Sequence, residues 1–123
     1  MQIMKKIIWA VNAFDEPSVI QKHTEYALKI LIQHIAARIE PVYILTPSEI
    51  SFESEADSAW VEYYKKAAER HLVFRLKKNF PKLLKPKILV QDSTSQTEAV
   101  KTLVRYAEGT QAELIAVGTH ART

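Results

Sequence analysis

The residues best suited to chemistry lie in the closing stretch IAVGTHART, Ile115 to Thr123. Gly118 can make a tight turn or let a ligand come close to the backbone, because it carries no Cβ. Arg122 offers a planar donor fork, His120 two ring nitrogens and Thr119 a hydroxyl, a set that could meet a phosphate. The competing reading is an exposed terminal turn, since neither a second glycine nor a complete phosphate cradle accompanies Gly118. The sequence contains no GxGxxG and no GxxxxGK[ST], which weighs separately against a dinucleotide fingerprint and a P-loop.

Other polar residues are weaker candidates. Asn12 could donate to and accept from a base edge, or simply cap a turn. Asp15 and Glu16 are adjacent carboxylates, better explained by a helix N-terminus than by acid–base work. Asp92 could bind a metal only with converging partners, and a turn-capping role is the simpler one. Ser93, Thr94 and Ser95 lack a nucleophile-elbow sequence. His23, His34, His71 and His120 lack zinc-motif spacing, and with no cysteine in the chain a thiol nucleophile, a disulfide and cysteine-ligated zinc are excluded.

These residues need elements to position them. Ile7 to Val11 form a short apolar run, as in a strand buried on both faces. Pro17 and Ser18 can start a helix, Ser18 and Gln21 having capping-box spacing, and Thr24, Leu28, Leu31 and Ile35, with Ala27 beside them, supply its packing face. Val42 to Leu45 read as a second strand between Pro41 and Pro47. The next helix should pack through Trp60, Tyr64, Ala67, His71 and Phe74; an aromatic cage from Trp60, Tyr63, Tyr64 and His71 is the alternative to core packing.

Lys87 to Val90 read as a third strand. Ser95 and Glu98 form another capping box, Val100, Leu103, Val104 and Ala107 a packing stripe, and Gly109 a left-handed stop before the fourth strand in AELIAVG. The order βαβαβαβ predicts an α/β fold with an open, mainly parallel sheet. In such a sheet ligands favour the crevice outside the carboxyl ends of the strands, which would collect Asn12, Leu45, the turn after Val90 and Gly118 onward.

Composition bounds the partners. A chain of 123 residues suits one domain, and no apolar stretch near the start is long enough for a secretion signal or a membrane span. A reducing cytoplasm fits the lack of cysteine. The net charge of +3 divides into an acidic SEISFESEADSAWVE and a basic KKAAERHLVFRLKKNFPKLLKPK. A solvated helix face explains the basic run better than nucleic-acid or membrane binding, and core packing explains Phe74 and Phe80 better than base stacking.

Taken together, KKIIWAVNAF, VYILTP, the polar turn after KILV and above all AELIAVGTHART resemble the universal stress protein family over nearly the whole chain. The resemblance implies a Rossmann-like, adenine-nucleotide-binding-type domain spanning 1–123 and lacking its last helix and fifth strand. Asn12 stands where ATP-binding members place an acidic residue, followed by Ala13 and Phe14 in place of smaller residues, and the backbone around Leu45 would address an adenine edge. Gly118 matches the first glycine of the family's phosphate pattern, Ala121 takes the place of the second, and Thr119, His120 and Arg122 share that turn.

The expectation is therefore a non-enzymatic stress-response domain, a candidate sensor of ATP, ADP or AMP. A structural or protein-interaction domain without nucleotide is the alternative, and ATP hydrolysis a weaker one, because no base or complete phosphate-positioning set is identifiable. Self-association through an uncovered sheet edge is the expected partnership.

Overall fold

The computed structural model describes residues 5–11, 19–45, 58–91 and 95–117. The element order is β1 (Lys5–Ala10), α1 (Val19–Leu31), β2 (Ala37–Leu45), α2 (Ser58–Leu76), β3 (Lys87–Val90), α3 (Gln96–Gly109) and β4 (Leu114–Val117). The four strands form one parallel sheet in the order β3-β2-β1-β4. The expected α/β alternation is the observed one.

Period-two alternation in the strands divides the core between the two faces of the sheet. Ile7, Trp9, Ile39, Tyr43 and Leu45 turn to the face covered by Leu28 of α1 and by Ala68, Leu72 and Leu76 of α2. Ile8 and Val42 turn to the other, where Leu103 and Ala107 of α3 cover them. Trp9 meets Phe80, just beyond α2, edge to face at 5.7 Å between ring centroids.

Strand β2 begins five residues earlier than the Val42 predicted from the apolar run, and Pro41 lies inside it. The carbonyls of Ile39 and Leu45 accept from the N–H groups of Leu84 and Gln91 on the β3 side. Strand alternation turns Pro41 to that same side, just before the β2–β3 ladder opens at Val42↔Lys87, so its missing donor breaks no pairing.

The helix faces also differ in part from expectation. In α1, Leu28 is buried and Leu31 packs on the core, but Ala27 is exposed. In α2 the inward stripe is Tyr64, Ala68, Leu72 and Leu76, so Ala67, His71 and Phe74 lie off it, and Phe74 is 90% exposed. An apolar content on both sides of this helix hid which side faces the sheet. In α3, Leu103 and Ala107 are buried while Val100 and Val104 are largely exposed.

The ends of α3 show how local chemistry sets its limits. The Ser95 Oγ accepts from the Glu98 N–H at 3.2 Å, as a helix N-cap should. At the other end Gly109 is still helical, and Gln111 takes the left-handed conformation at φ 59°. The N–H of Ala112 reaches the Ala107 carbonyl at 3.0 Å and that of Gln111 reaches the Glu108 carbonyl at 3.2 Å, the paired bonds of a left-handed helix stop. The predicted stop is thus displaced by two residues onto a non-glycine. The Ser18–Gln21 box and Trp60's side chain lie outside the described residues.

Candidate functional site

Strands β1, β2 and β3 are laid outward in sequence, and the chain then returns to place β4 on the opposite side of β1. That reversal makes the gap between the carboxyl ends of β1 and β4 the topological switch point of the sheet. The register sets Ala10 opposite Val117, on strands about 4.8 Å apart. The carboxyl ends of β1 and β4 are therefore neighbours at the same level. Asn12, Ala13, Gly118, Thr119, His120, Ala121 and Arg122 themselves lie outside the described residues, as do Phe14, Asp15, Glu16 and 92–94.

What is described is the sheet end that floors the switch point. Val11 is buried and donates its N–H to the Val42 carbonyl at 3.0 Å. Leu45, predicted to offer its backbone to a base, is fully buried, and its carbonyl accepts the Gln91 N–H at 2.9 Å. A base edge meeting that oxygen would share it with Gln91 through the second lone pair. The Gln91 side chain is buried and donates through Nε2 to the Ser95 carbonyl at 3.1 Å, which ties the end of β3 to the first turn of α3. The floor is thereby fixed on three strands and one helix start.

The described histidines do not converge: His23 lies on α1, His34 in the turn after it and His71 on α2, all exposed. Among the described residues no group of three or more His, Cys, Asp or Glu could hold a metal ion. No described helix is long and apolar enough to cross a membrane.

Sequence reasoning missed a polar cluster at the amino-terminal half of the sheet. Glu40 is only 8% exposed. Both of its carboxylate oxygens accept from the Tyr106 hydroxyl at 2.9 Å, and Oε1 lies 3.1 Å from Lys6 Nζ. The ammonium also stands 5.5 Å from the centroid of the Tyr106 ring. Burial, then the hydrogen bond to Glu40 and the charge of that carboxylate, push the Tyr106 phenol well above its ordinary range. Lys6 and Glu40 are diagonal neighbours across the β1–β2 register, whereas Tyr106 comes from α3. Only the parallel pairing reveals the contact, and no local spacing announces it. Its chemistry is a tie between α3 and the central strands, remote from the switch point.

Clefts also lie elsewhere among the described residues. One of about 300 Å³ is lined by Glu40, Glu69, Lys65 and the Lys85–Ile88 stretch, where Lys85 stands 3.9 Å from Glu69. Another, of about 420 Å³, runs along the outer side of α2 past Tyr63, Ala67, Arg70, His71 and Phe74.

No family profile matches the sequence, and neither does any curated protein. Solved structures do match. A protein of the universal stress protein family from Burkholderia pseudomallei shares 22% identity over 94% of this chain and 82% of its own, with a TM-score of 0.60. A universal stress protein from Archaeoglobus fulgidus shares 16% identity over 98% of this chain and 80% of its own, with a TM-score of 0.59. At these identities the likeness is one of architecture: the parallel β3-β2-β1-β4 sheet with its three helices has the fold of universal stress protein structures.

Proposed function

We propose that this chain is a non-enzymatic, cytoplasmic stress-response domain whose switch-point crevice takes an adenine nucleotide. The observation that carries the reading is the register Ala10↔Val117, which sets the carboxyl ends of β1 and β4 beside each other at the switch point. In this reading Asn12 supplies an amide donor and acceptor toward the base or sugar, with the backbone around Leu45 at the base edge. Thr119, His120 and Arg122 would face phosphate, and Gly118 and Ala121 would set the turn that presents them. Binding would favour one arrangement of those segments over another, a population shift that needs no bond cleavage.

Titration of the folded protein with ATP, ADP and AMP, followed by amide resonances, tests this. Saturable shifts should centre on Val11, Asn12, Leu45 and Gly118. Unchanged spectra would reject nucleotide binding, and phosphate release above a protein-free control would reject the non-enzymatic part.

A second reading rests on β4. Among the described residues it pairs on one side only, with β1, and its Leu114 and Val117 are 47% and 49% exposed. Such an edge can add a strand from a second copy. Sedimentation of the nucleotide-free protein should then give twice the chain mass, and a monomer at all concentrations would remove this reading.

A further inference from the structure

We propose that the outer face of α2 is a docking surface for an acidic, amphipathic helical segment of a partner protein. The helix carries an apolar inner stripe and a mixed aromatic and basic outer one. The inner one, Tyr64, Ala68, Leu72 and Leu76, is spent on the sheet. The outer one runs Tyr63, Ala67, Arg70, Phe74 with spacings of four, three and four residues, the a/d rhythm of a helix that meets another helix. Phe74 is 90% and Tyr63 58% exposed, the Tyr63 ring meeting Tyr64 edge to face at 5.6 Å, so both leave large aromatic surface in water. Between them the small Ala67 lowers the floor of the 420 Å³ groove, leaving room for an inserted side chain.

Charge then selects the partner. Residues 61–78 hold six Lys or Arg against two Glu. Both glutamates already stand near lysines, Glu62 at 3.6 Å from Lys65 and Glu69 at 3.9 Å from Lys85. Lys66, Arg70, Lys77 and Lys78 are exposed, and Arg70 lines the groove. A second copy would bring this basic face against itself, with Arg70 near its own symmetry mate. A nucleic-acid strand would satisfy the charges, but Tyr63 and Phe74 stand about 16 Å apart along the helix axis, too far to stack successive bases. An acidic helix with apolar anchors satisfies both the spacing and the sign.

The probe is a fluorescein-labelled peptide of about 20 residues with Leu at its a and d positions and Glu beside them, long enough to become helical on binding. Its anisotropy is compared with that of a version bearing Lys for Glu, one bearing Ser for Leu, and an oligo(dT). The Leu/Glu peptide should bind, weaken with added salt, and lose at least about tenfold in affinity in Phe74→Ala, a change at an exposed position that leaves the melting curve in place. The double variant Lys66→Glu, Arg70→Glu should transfer the preference to the Lys version. Equal binding of the Ser and Leu peptides, an unaltered affinity in Phe74→Ala, or Phe74-dependent binding of oligo(dT) in preference to the peptide would each overturn the proposal.

Discussion

The two faces of the sheet are held by different means. Beneath α1 and α2 the core is a broad apolar layer that includes Trp9, Leu72, Leu76 and Phe80. Beneath α3 the buried patch is small, Ile8, Val42, Leu103 and Ala107, and the Lys6–Glu40–Tyr106 cluster sits beside it. Apolar burial is strong but non-directional, whereas a hydrogen-bonded buried carboxylate is satisfied in one arrangement only. The first face therefore sets how stable the domain is, and the second sets how α3 is seated.

If this division holds, the largest loss should come from the apolar face. Trp9→Ala removes a fully buried ring and its edge-to-face partner contact with Phe80, and should cost about 3–5 kcal/mol in denaturant unfolding. A loss under about 1 kcal/mol would mean that the layer is not closely packed.

The α3 face should respond less, and with a pH signature. Tyr106→Phe removes the donor to a buried carboxylate and should cost about 1–2 kcal/mol near neutral pH. The folded phenol binds its proton more tightly than the unfolded one, so the folded state holds more protons once pH exceeds about 10, and stability must fall as pH rises from there. The ring is only partly buried, so the slope should stay below the about 1.4 kcal/mol per pH unit of a fully coupled proton. The contribution is complete below pH of about 10 and is lost above it. Alkaline unfolding of the wild type compared with Tyr106→Phe isolates it, and parallel curves would deny the cluster its seating role.

The element succession and the α/β class followed from features the sequence displays locally: apolar runs at Ile7–Val11 and Lys87–Val90, and the Ser95 cap. The contacts that distinguish the two faces were not so displayed. Glu40 and Arg38 interrupt the apolar run that marks a strand, so β2 looked shorter than it is, although Glu40 is buried by a lysine and a tyrosine distant in sequence. In α2, apolar residues at two helical phases made the exposed Phe74 look like core. For the candidate site, the sequence named positions, and the structure supplies the adjacency of β1 and β4 and the engagement of Leu45 with Gln91.

The smallest effect should appear at the carboxyl end of α3. Gln111 holds φ at 59°, where a side chain costs energy because its Cβ crowds the backbone. It keeps that conformation because Ala112 is drawn back to the Ala107 carbonyl and packs on the α3 side of the sheet. Gly109, which could adopt the conformation freely, is instead inside the helix, where glycine is the poorer choice. Gln111→Gly should thus raise stability by about 0.5–1 kcal/mol, and Gly109→Ala, whose new Cβ would meet nothing within 4 Å, by a similar amount. The two substitutions touch adjacent turns and need not add. If thermal melting shows a gain for Gly109→Ala but none for Gln111→Gly, the turn after α3 is not restrained by the sheet, and the seating of this helix rests on the Glu40 cluster alone.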